Sequence, residues 1–132
     1  SVANLDPYKK VEAETIAFSE GLKTASDSKT GVYVTKIENG DYLKVRSVDF
    51  AKGAKTFEAS VASASAGGKI EIRLGDRNGE LLGTIDVKNT GGLQKWATVK
   101  GKVKKATGVQ DICLVFKGGE GELFNFDWWA FN

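Results

Sequence analysis

The sequence predicts an all-β sandwich of two antiparallel sheets, and three observations support this fold class. Short segments alternate between apolar and polar residues, as in KIEIRL (69–74), where Ile70, Ile72 and Leu74 share one face. About nine or ten such segments follow at spacings of roughly 8 to 12 residues, separated by turns marked by Gly or Asn. No stretch shows a convincing 3.6-residue period. Because 132 residues can bury one sizeable core, we expect a single domain.

The predicted elements can be placed in order along the chain. Residues 1–7, which end with the only proline, are predicted to be the end of a linker, and 8–132 to be the domain. Residues 16–30 are polar and are predicted to form a loop. The Asn-Gly pairs in ENGD (38–41) and DRNG (76–79) predict hairpin turns, because these residues adopt the positive φ angles of tight turns. The strands are predicted at 8–15, 31–37, 41–50, 56–63, 69–74, 81–87, 94–103, 109–117 and 121–132.

The last segment, GELFNFDWWAFN (121–132), contains a carboxylate among aromatic residues. A strict period of two predicts one face with Asn125, Asp127, Trp129 and Phe131, and another with Phe124, Phe126 and Trp128. A carboxylate in that setting needs a partner. Because the chain has no His, the partner is a Lys, an Arg, backbone N–H groups or a metal ion. An ordinary hydrogen-bonded core Asp remains the plain alternative.

Composition excludes several function classes. The absence of His and the single Cys remove most zinc and copper chemistry and the Ser–His nucleophiles, whereas oxygen-ligated calcium survives. Cys113, in DICLVF, is predicted to be buried. A net charge of +2 without blocks of like charge argues against nucleic acid or an anionic membrane as a partner. The sequence shows no signal peptide, which fits either a cytoplasmic protein or an excised part of a longer one.

Several short motifs, taken in order, resemble those of family 6 carbohydrate-binding modules. These motifs are VEAE near the start, IENGDYLKV, VASASAGGKIEIRLG, LLGTIDVKNTGG, and LVFKGG followed by FNFDWW. The resemblance implies a non-catalytic β-jelly roll that is joined by a linker to a polysaccharide-degrading enzyme. It also implies a structural Ca²⁺ held by Glu12, Glu14 and Asp127, with a backbone carbonyl from 26–31 completing the shell. Like-charged Glu12 and Glu14 on one strand face would be harmless on a solvated edge, but need a cation if partly buried.

The resemblance further implies a sugar-binding cleft at one end of the sandwich. Family members hold a sugar ring there between two aromatic side chains and beside an Asn. Here the Asn is Asn125, but the aromatic positions hold Lys36 and Leu93. Tyr33 and Trp96 are the neighbouring aromatics that could replace them, although Trp96 is predicted to lie in a strand. Lys36 could itself bind hydroxyls or the carboxylate of a uronic acid.

A second location is implied because some family members bind sugar on the concave face of one sheet. The candidates there are Tyr42, Lys44 and Arg73. The alternation of residues places them on an outward face, where an ordinary solvated surface is the alternative interpretation.

The sequence therefore predicts a secreted, calcium-stabilised carbohydrate-binding module without catalytic activity. By family analogy we expect xylan or arabinoxylan as the first ligand and β-glucan as the second. We expect a monomer whose partners are a polysaccharide and a catalytic domain in the same parent chain, with no nucleic acid and no membrane partner. The alternative is a structural module whose sugar cleft has decayed and which packs against a catalytic domain.

Overall fold

A computed structural model describes residues 4–132, which form two antiparallel sheets packed face to face. One sheet has six strands: β1 (Val11–Glu12), β3 (Lys23–Asp27), β4 (Gly31–Thr35), β6 (Thr56–Ala62), β9 (Ala97–Lys102) and β11 (Asn125–Phe131). The other has five strands: β2 (Phe18–Glu20), β5 (Tyr42–Asp49), β7 (Gly68–Leu74), β8 (Leu81–Val87) and β10 (Val109–Lys117). The predicted all-β sandwich is confirmed. Within residues 4–132 no helix has the length and apolarity that a membrane crossing needs.

The strand order places the chain's last strand inside the six-stranded sheet. That order is β3-β4-β11-β6-β9, and β1 also pairs with β11. The five-stranded sheet runs β2-β5-β10-β7-β8. β11 therefore pairs with three other strands, and the N-terminal strand β1 lies opposite its middle residues, Trp128 and Trp129.

Aromatic side chains fill much of the space between the sheets. Phe50 and Phe131 meet edge to face with centroids 4.9 Å apart, as do Phe116 and Phe126 at 5.9 Å. Trp129 is fully buried in the same core. Each such side chain contributes roughly 1.5–3 kcal/mol by leaving water, so this core holds the two sheets together.

A β-bulge in β11 makes the predicted faces of the last strand wrong. Phe126 pairs with Val61, and Trp128 pairs with the adjacent Ser60, so Asp127 is the extra residue of the bulge. Beyond the bulge the alternation is shifted by one residue. Trp129 and Phe131 are buried together with Phe126, whereas Asp127 and Trp128 are only partly buried.

Four other local predictions also need correction. Only Val11–Glu12 of the strand predicted at 8–15 forms, as β1, and residues 13–14 lie in a turn, so Glu12 and Glu14 do not share a strand face. Residues 16–30 contain β2 and β3, although a loop was predicted there. The turn at 38–41 forms, with the Asp41 N–H donating to the Glu38 carbonyl at 3.0 Å, but it joins β4 to β5 across the two sheets. It is therefore not a hairpin turn, whereas the turn at 76–79 does close the β7–β8 hairpin. Trp96 lies just before β9 and not within a strand.

The segment before β1 makes regular backbone contacts. The Leu5 N–H donates to the Ser47 carbonyl, and the Leu5 carbonyl accepts from the Asp49 N–H, both at 2.9 Å. The Phe131 N–H donates to the Pro7 carbonyl at 2.8 Å. Residues 1–3 of the predicted linker end lie outside the described part of the chain, and the limits 1–7 and 8–132 stay a prediction.

Candidate functional site

Strand pairing brings the predicted calcium ligands to one place. β1 runs beside β11, with Val11 opposite Trp129 and Glu12 opposite Trp128. The Ala13 N–H donates to the Asp127 carbonyl at 2.8 Å, so Asp127 lies beside the residue between Glu12 and Glu14. Because Asp127 is the extra residue of the β-bulge, its side chain does not follow the in–out alternation of the neighbouring residues.

The carboxylates of this cluster have unsatisfied oxygens. Glu14 Oε2, Asp27 Oδ2 and Asp127 Oδ1 are buried and have no hydrogen-bond partner. Burial, followed by the charges of Glu12, Glu14 and Asp27, raises the pKa of Asp127 to about 6. A buried oxygen without a donor is costly, and several together fit a cation that prefers oxygen ligands.

The carboxylates are nevertheless not gathered into a finished coordination shell. Among the described residues, no three His, Cys, Asp or Glu side chains are arranged to hold a metal ion. Like charges repel one another when no cation lies between them. The case for a metal site therefore depends on the unsatisfied oxygens and on the raised pKa of Asp127.

Asp27 is a member of the cluster that the sequence analysis missed. Only a backbone carbonyl from 26–31 was expected from this loop. Asp27 Oδ1 accepts hydrogen bonds from the Lys29 and Thr30 N–H groups at 2.8 and 2.6 Å, and the Thr30 bond is the largest of the effects that lower its pKa. Its second oxygen remains without a partner. The sequence feature that could have drawn attention to Asp27 is its position in SDSKTG (26–31), where an Asp side chain accepts hydrogen bonds from the backbone of a turn.

We call the surroundings of the predicted end-cleft residues the end region; these residues are Tyr33, Lys36, Leu93, Trp96 and Asn125. Two of its aromatic residues pack on each other. The rings of Tyr33 and Trp96 meet edge to face with centroids 5.3 Å apart. Tyr33 is 6% exposed, and its hydroxyl accepts a hydrogen bond from Gln94 Nε2 at 2.9 Å. Both rings are thus engaged by protein neighbours.

The polar groups of the end region are also paired with one another. Asn125 is 3% exposed; its Oδ1 accepts from Thr35 Oγ1 at 2.7 Å, and its Nδ2 donates to the Leu93 carbonyl at 2.9 Å. Lys36 Nζ donates to Glu122 Oε1 at 2.9 Å. Among the polar side-chain atoms of Tyr33, Lys36, Trp96 and Asn125, only Trp96 Nε1, which is buried, has no hydrogen-bond partner. The Leu93 side chain is 39% exposed.

The outward face of the five-stranded sheet carries the second set of predicted residues in two rows. One row runs across four strands as Phe18, Lys44, Cys113 and Arg73, which are directly paired neighbours. The next row is Glu20, Tyr42, Val115 and Glu71. Directly paired residues point to the same side of a sheet, so Tyr42, Lys44 and Arg73 share one face. We call this surface the Tyr42 face.

Next to these rows the Tyr42 face has a cavity of about 320 Å³. Its aromatic and charged lining consists of Phe18, Tyr42, Lys44, Arg46, Asp76 and Arg77. The Phe18 and Tyr42 rings lie 6.0 Å apart at 33°, and Phe18 is 54% exposed. The Arg77 guanidinium carbon lies 5.5 Å from the centre of the Tyr42 ring. The face thus presents aromatic surface and hydrogen-bond donors together.

Arg73 has a different role from its neighbours on this face. Its Nε and Nη2 donate to Glu71 Oε1 at 3.2 and 3.1 Å, and its Nη1 donates to the Gly79 carbonyl at 2.9 Å. These bonds hold the β7–β8 turn. Phe18 and Arg77 have side chains that are more than half exposed. The sequence did not indicate either residue, because Phe18 lies in the segment predicted to be a loop and Arg77 lies in a turn.

A larger cavity, of about 560 Å³, lies between β8 and β9. Its lining has Thr84, Asp86 and Lys100 but no aromatic side chain among the described residues. Without a flat ring it lacks the surface on which a pyranose packs. The Tyr42 face is therefore the better candidate for a sugar.

These features define a class of protein, namely a small β-sandwich with a carboxylate cluster on one sheet and a partly exposed aromatic surface on the other. Comparison with known proteins then identifies the family. The family model "Carbohydrate binding module (family 6)" matches residues 12–132. The chain belongs to this family of carbohydrate-binding modules, and it is a non-catalytic domain.

Similar proteins agree with this assignment. An arabinoxylan arabinofuranohydrolase from Bacillus subtilis is 46% identical over 99% of this chain, which corresponds to 27% of that enzyme. The crystal structure of a family 6 module from Clostridium cellulolyticum in complex with xylose is 43% identical, with a TM-score of 0.94 over 97% of this chain and 99% of that one. A β-1,3-glucan-binding family 6 module from Bacillus halodurans is 40% identical, with a TM-score of 0.95 over 98% and 99% of the two chains.

The chain spans about a quarter of the length of the curated enzymes it matches best among these comparisons. It corresponds to the accessory module of such enzymes and not to their catalytic domains.

Proposed function

We propose that this module holds a polysaccharide-degrading enzyme on xylan or arabinoxylan, and that the sugar chain binds on the Tyr42 face. The observation that carries the choice of face is the pair of the exposed Phe18 and the half-buried Tyr42 beside a cavity with several donors. The arabinoxylan-degrading relative and the xylose-bound module support xylan as the first ligand class, and the β-1,3-glucan-binding module supports β-glucan as the second.

The chemistry of the Tyr42 face suits a pyranose. The C–H groups of a sugar ring pack against flat aromatic surface, and sugar hydroxyls accept hydrogen bonds from ammonium and guanidinium groups. Lys44 Nζ lies 4.0 Å from Asp111 Oδ2, which is too long for a hydrogen bond and leaves its donors available. A shallow site of this kind gives weak binding, because sugar hydroxyls exchange water for protein.

The end region is less suited to the same task. A ligand there would have to displace contacts that already satisfy Asn125, Lys36 and Tyr33. Breaking the part-buried hydrogen bonds of Asn125 and Tyr33 costs about 1–3 kcal/mol each unless the ligand replaces them. The exposed ion pair of Lys36 and Glu122 contributes little, because solvent screens it. Lys36 and Leu93 occupy the positions where family members have aromatic residues, so they offer no ring whose contact with the sugar would offset the cost of breaking these bonds.

We also infer a structural Ca²⁺ held by Glu12, Glu14, Asp27 and Asp127. The three unsatisfied buried oxygens and the raised pKa of Asp127 support this inference. A hard cation with oxygen ligands would neutralise the repulsion among these carboxylates. Its position would join the N-terminal strands to β11.

The wider context belongs to the same proposal. The module is a monomer in a secreted enzyme, its second partner is the catalytic domain of the same chain, and it binds neither nucleic acid nor membrane.

Affinity gel electrophoresis against xylan, arabinoxylan and β-glucan tests the proposal, with Tyr42→Ala and Asn125→Ala in parallel. We expect retention by xylan, loss of retention in Tyr42→Ala, and unchanged retention in Asn125→Ala. Val109→Ala removes an apolar side chain that is 50% exposed and serves as the control. Loss in Asn125→Ala alone, with the variant shown to be folded, would move the site to the end region. No retention of the unmodified module by any polysaccharide would favour the alternative of a structural module.

A further inference from the structure

The Tyr42 face has an excess of basic side chains around its cavity. Lys44, Arg46 and Arg77 line it, against one acidic side chain, Asp76. A neutral polysaccharide can bind such donors but does not require their charge, because amides and hydroxyls also donate hydrogen bonds to sugar hydroxyls.

Two nearby acidic side chains lie at ion-pair distance from two of these cations without forming hydrogen bonds to them. The closest carboxylate oxygens of Asp111 and Glu20 lie 4.0 Å from Lys44 Nζ and Arg77 Nη1, beyond hydrogen-bond distance. Arg46 forms no ion pair with a residue of the described chain. Arg73, by contrast, makes three hydrogen bonds to its own hairpin.

The geometry points to a sugar carrying a carboxylate as the ligand class of this face, that is, a xylan substituted with uronic acid. The inference depends on the proposed function, because it names the ligand class of the same surface. The sugar ring packs on Phe18 and Tyr42, and its carboxylate accepts hydrogen bonds from Arg46 or Arg77. Lys44 donates to the sugar hydroxyls. A guanidinium is suited to this role because its planar donors match the two oxygens of a carboxylate.

The aromatic pair favours an acidic saccharide over an inorganic anion. Phosphate or sulfate would use the cations but would leave the 54% exposed ring of Phe18 in water. A uronic acid uses both kinds of surface, since its ring has C–H faces and its carboxylate has the complementary charge.

Isothermal titration calorimetry with two probes tests the inference: xylotetraose, and the same oligosaccharide carrying a glucuronic acid substituent. We expect the acidic probe to bind about tenfold more tightly, because charge-assisted hydrogen bonds are roughly twice as strong as neutral ones. The preference should shrink in 1 M salt, where charges are screened over roughly 3 Å. Inorganic phosphate serves as a third probe and should not compete.

Variants assign the preference to the named residues. The double variant Arg46→Gln and Arg77→Gln should bind both oligosaccharides alike. The double variant Arg46→Gln and Arg77→Lys, which keeps a cation at position 77, should regain part of the preference for the acidic oligosaccharide. Lys100→Gln removes one charge from a strand of the other sheet and should leave it unchanged. Thermal melting checks that each variant is folded.

The possible outcomes distinguish the acidic ligand from the proposed function, which is sugar binding by the Tyr42 face. Equal binding of the two oligosaccharides, lost together in Tyr42→Ala, would overturn the acidic ligand and keep the sugar-binding face. A preference that survives the double arginine variant, or that phosphate abolishes, would also overturn it. No binding of either oligosaccharide would contradict both.

Discussion

The end region and the Tyr42 face contain similar residue types but differ in how these residues are used. In the end region Tyr33 is 6% exposed, and Lys36 lies 2.9 Å from Glu122. On the Tyr42 face Phe18 is 54% exposed, and Lys44 lies 4.0 Å from its nearest acid. Donors already paired within the protein add stability, whereas donors left open can be exchanged for a ligand. Residue identity alone therefore does not locate a sugar site.

The largest effect should come from calcium, whose inferred ligands lie in or next to strands of the six-stranded sheet, whereas the Tyr42 face belongs to the other sheet. Removing it with a chelator should lower the free energy of unfolding by about 3 kcal/mol, as for a ligand at 100 times its Kd. Sugar binding by the folded module should be unchanged. Thermal and denaturant unfolding with and without Ca²⁺ measure the first effect, and calorimetry measures the second.

Two variants control the calcium experiment. Asp127→Asn should abolish the response to Ca²⁺, whereas Asp86→Asn, which loses only an exposed ion pair with Lys69, should keep it. Identical unfolding of the unmodified module with and without Ca²⁺ at pH 7.5 would contradict the inferred site.

A second prediction concerns Asn125. Replacing it by Ala removes the buried partners of Thr35 Oγ1 and of the Leu93 carbonyl. We expect a loss of about 1–3 kcal/mol in the free energy of unfolding, with binding of xylan oligosaccharides within about twofold of normal. Denaturant unfolding measures the loss of stability, and calorimetry on the same sample measures the binding of xylan oligosaccharides. Normal stability with lost binding would reverse the assignment of the two regions.

A matched pair of exposed apolar residues sharpens the comparison further. Phe18→Ala should weaken binding about tenfold, which is about 1.4 kcal/mol and is typical of an aromatic contact. Leu93→Ala, at a side chain that is 39% exposed in the end region, should change it less than twofold. Equal losses in the two variants would show that the ligand spans both regions.

The smallest effect expected is a pH dependence of the response to Ca²⁺. The pKa of Asp127 is raised above its usual value to about 6, mainly by burial, so the folded chain binds this proton more tightly than the unfolded chain does. Without metal, this stabilisation is complete below about pH 4 and is lost as the pH rises to 6. Because Ca²⁺ binds ionised carboxylates, its effect on the melting temperature should grow over the same range. A calcium effect at pH 5 as large as at pH 7.5 would contradict this, and Asp127→Asn should remove the dependence.

The fold was predictable because alternation and turn signals are local. DRNG (76–79) and the strands at 81–87 and 109–117 were read correctly, since each pattern lies within one segment. The bulge at Asp127 could not be read in this way. It is a mismatch between β11 and β6, and it becomes visible only when the two strands are paired.

The candidate sites show the same limit. Glu12, Glu14 and Asp127 were predicted together as calcium ligands because the resemblance supplied their motif, and this stays a prediction. Asp27 was missed because it reaches the cluster through the β3–β4 hairpin. Phe18 was missed because a three-residue edge strand leaves little alternation to detect. Whether a side chain is free or engaged, as for Arg46 and Arg73, depends on neighbours distant in the sequence.

The most direct test of the central claim is an NMR titration of the ¹⁵N-labelled module with xylotetraose, with Ca²⁺ present. We predict that the amide shifts of Phe18, Tyr42, Lys44 and Arg77 change with ligand concentration, and that those of Lys36, Leu93 and Asn125 do not. Changes confined to Lys36, Leu93 and Asn125 would contradict the account and return the sugar to the end of the sandwich.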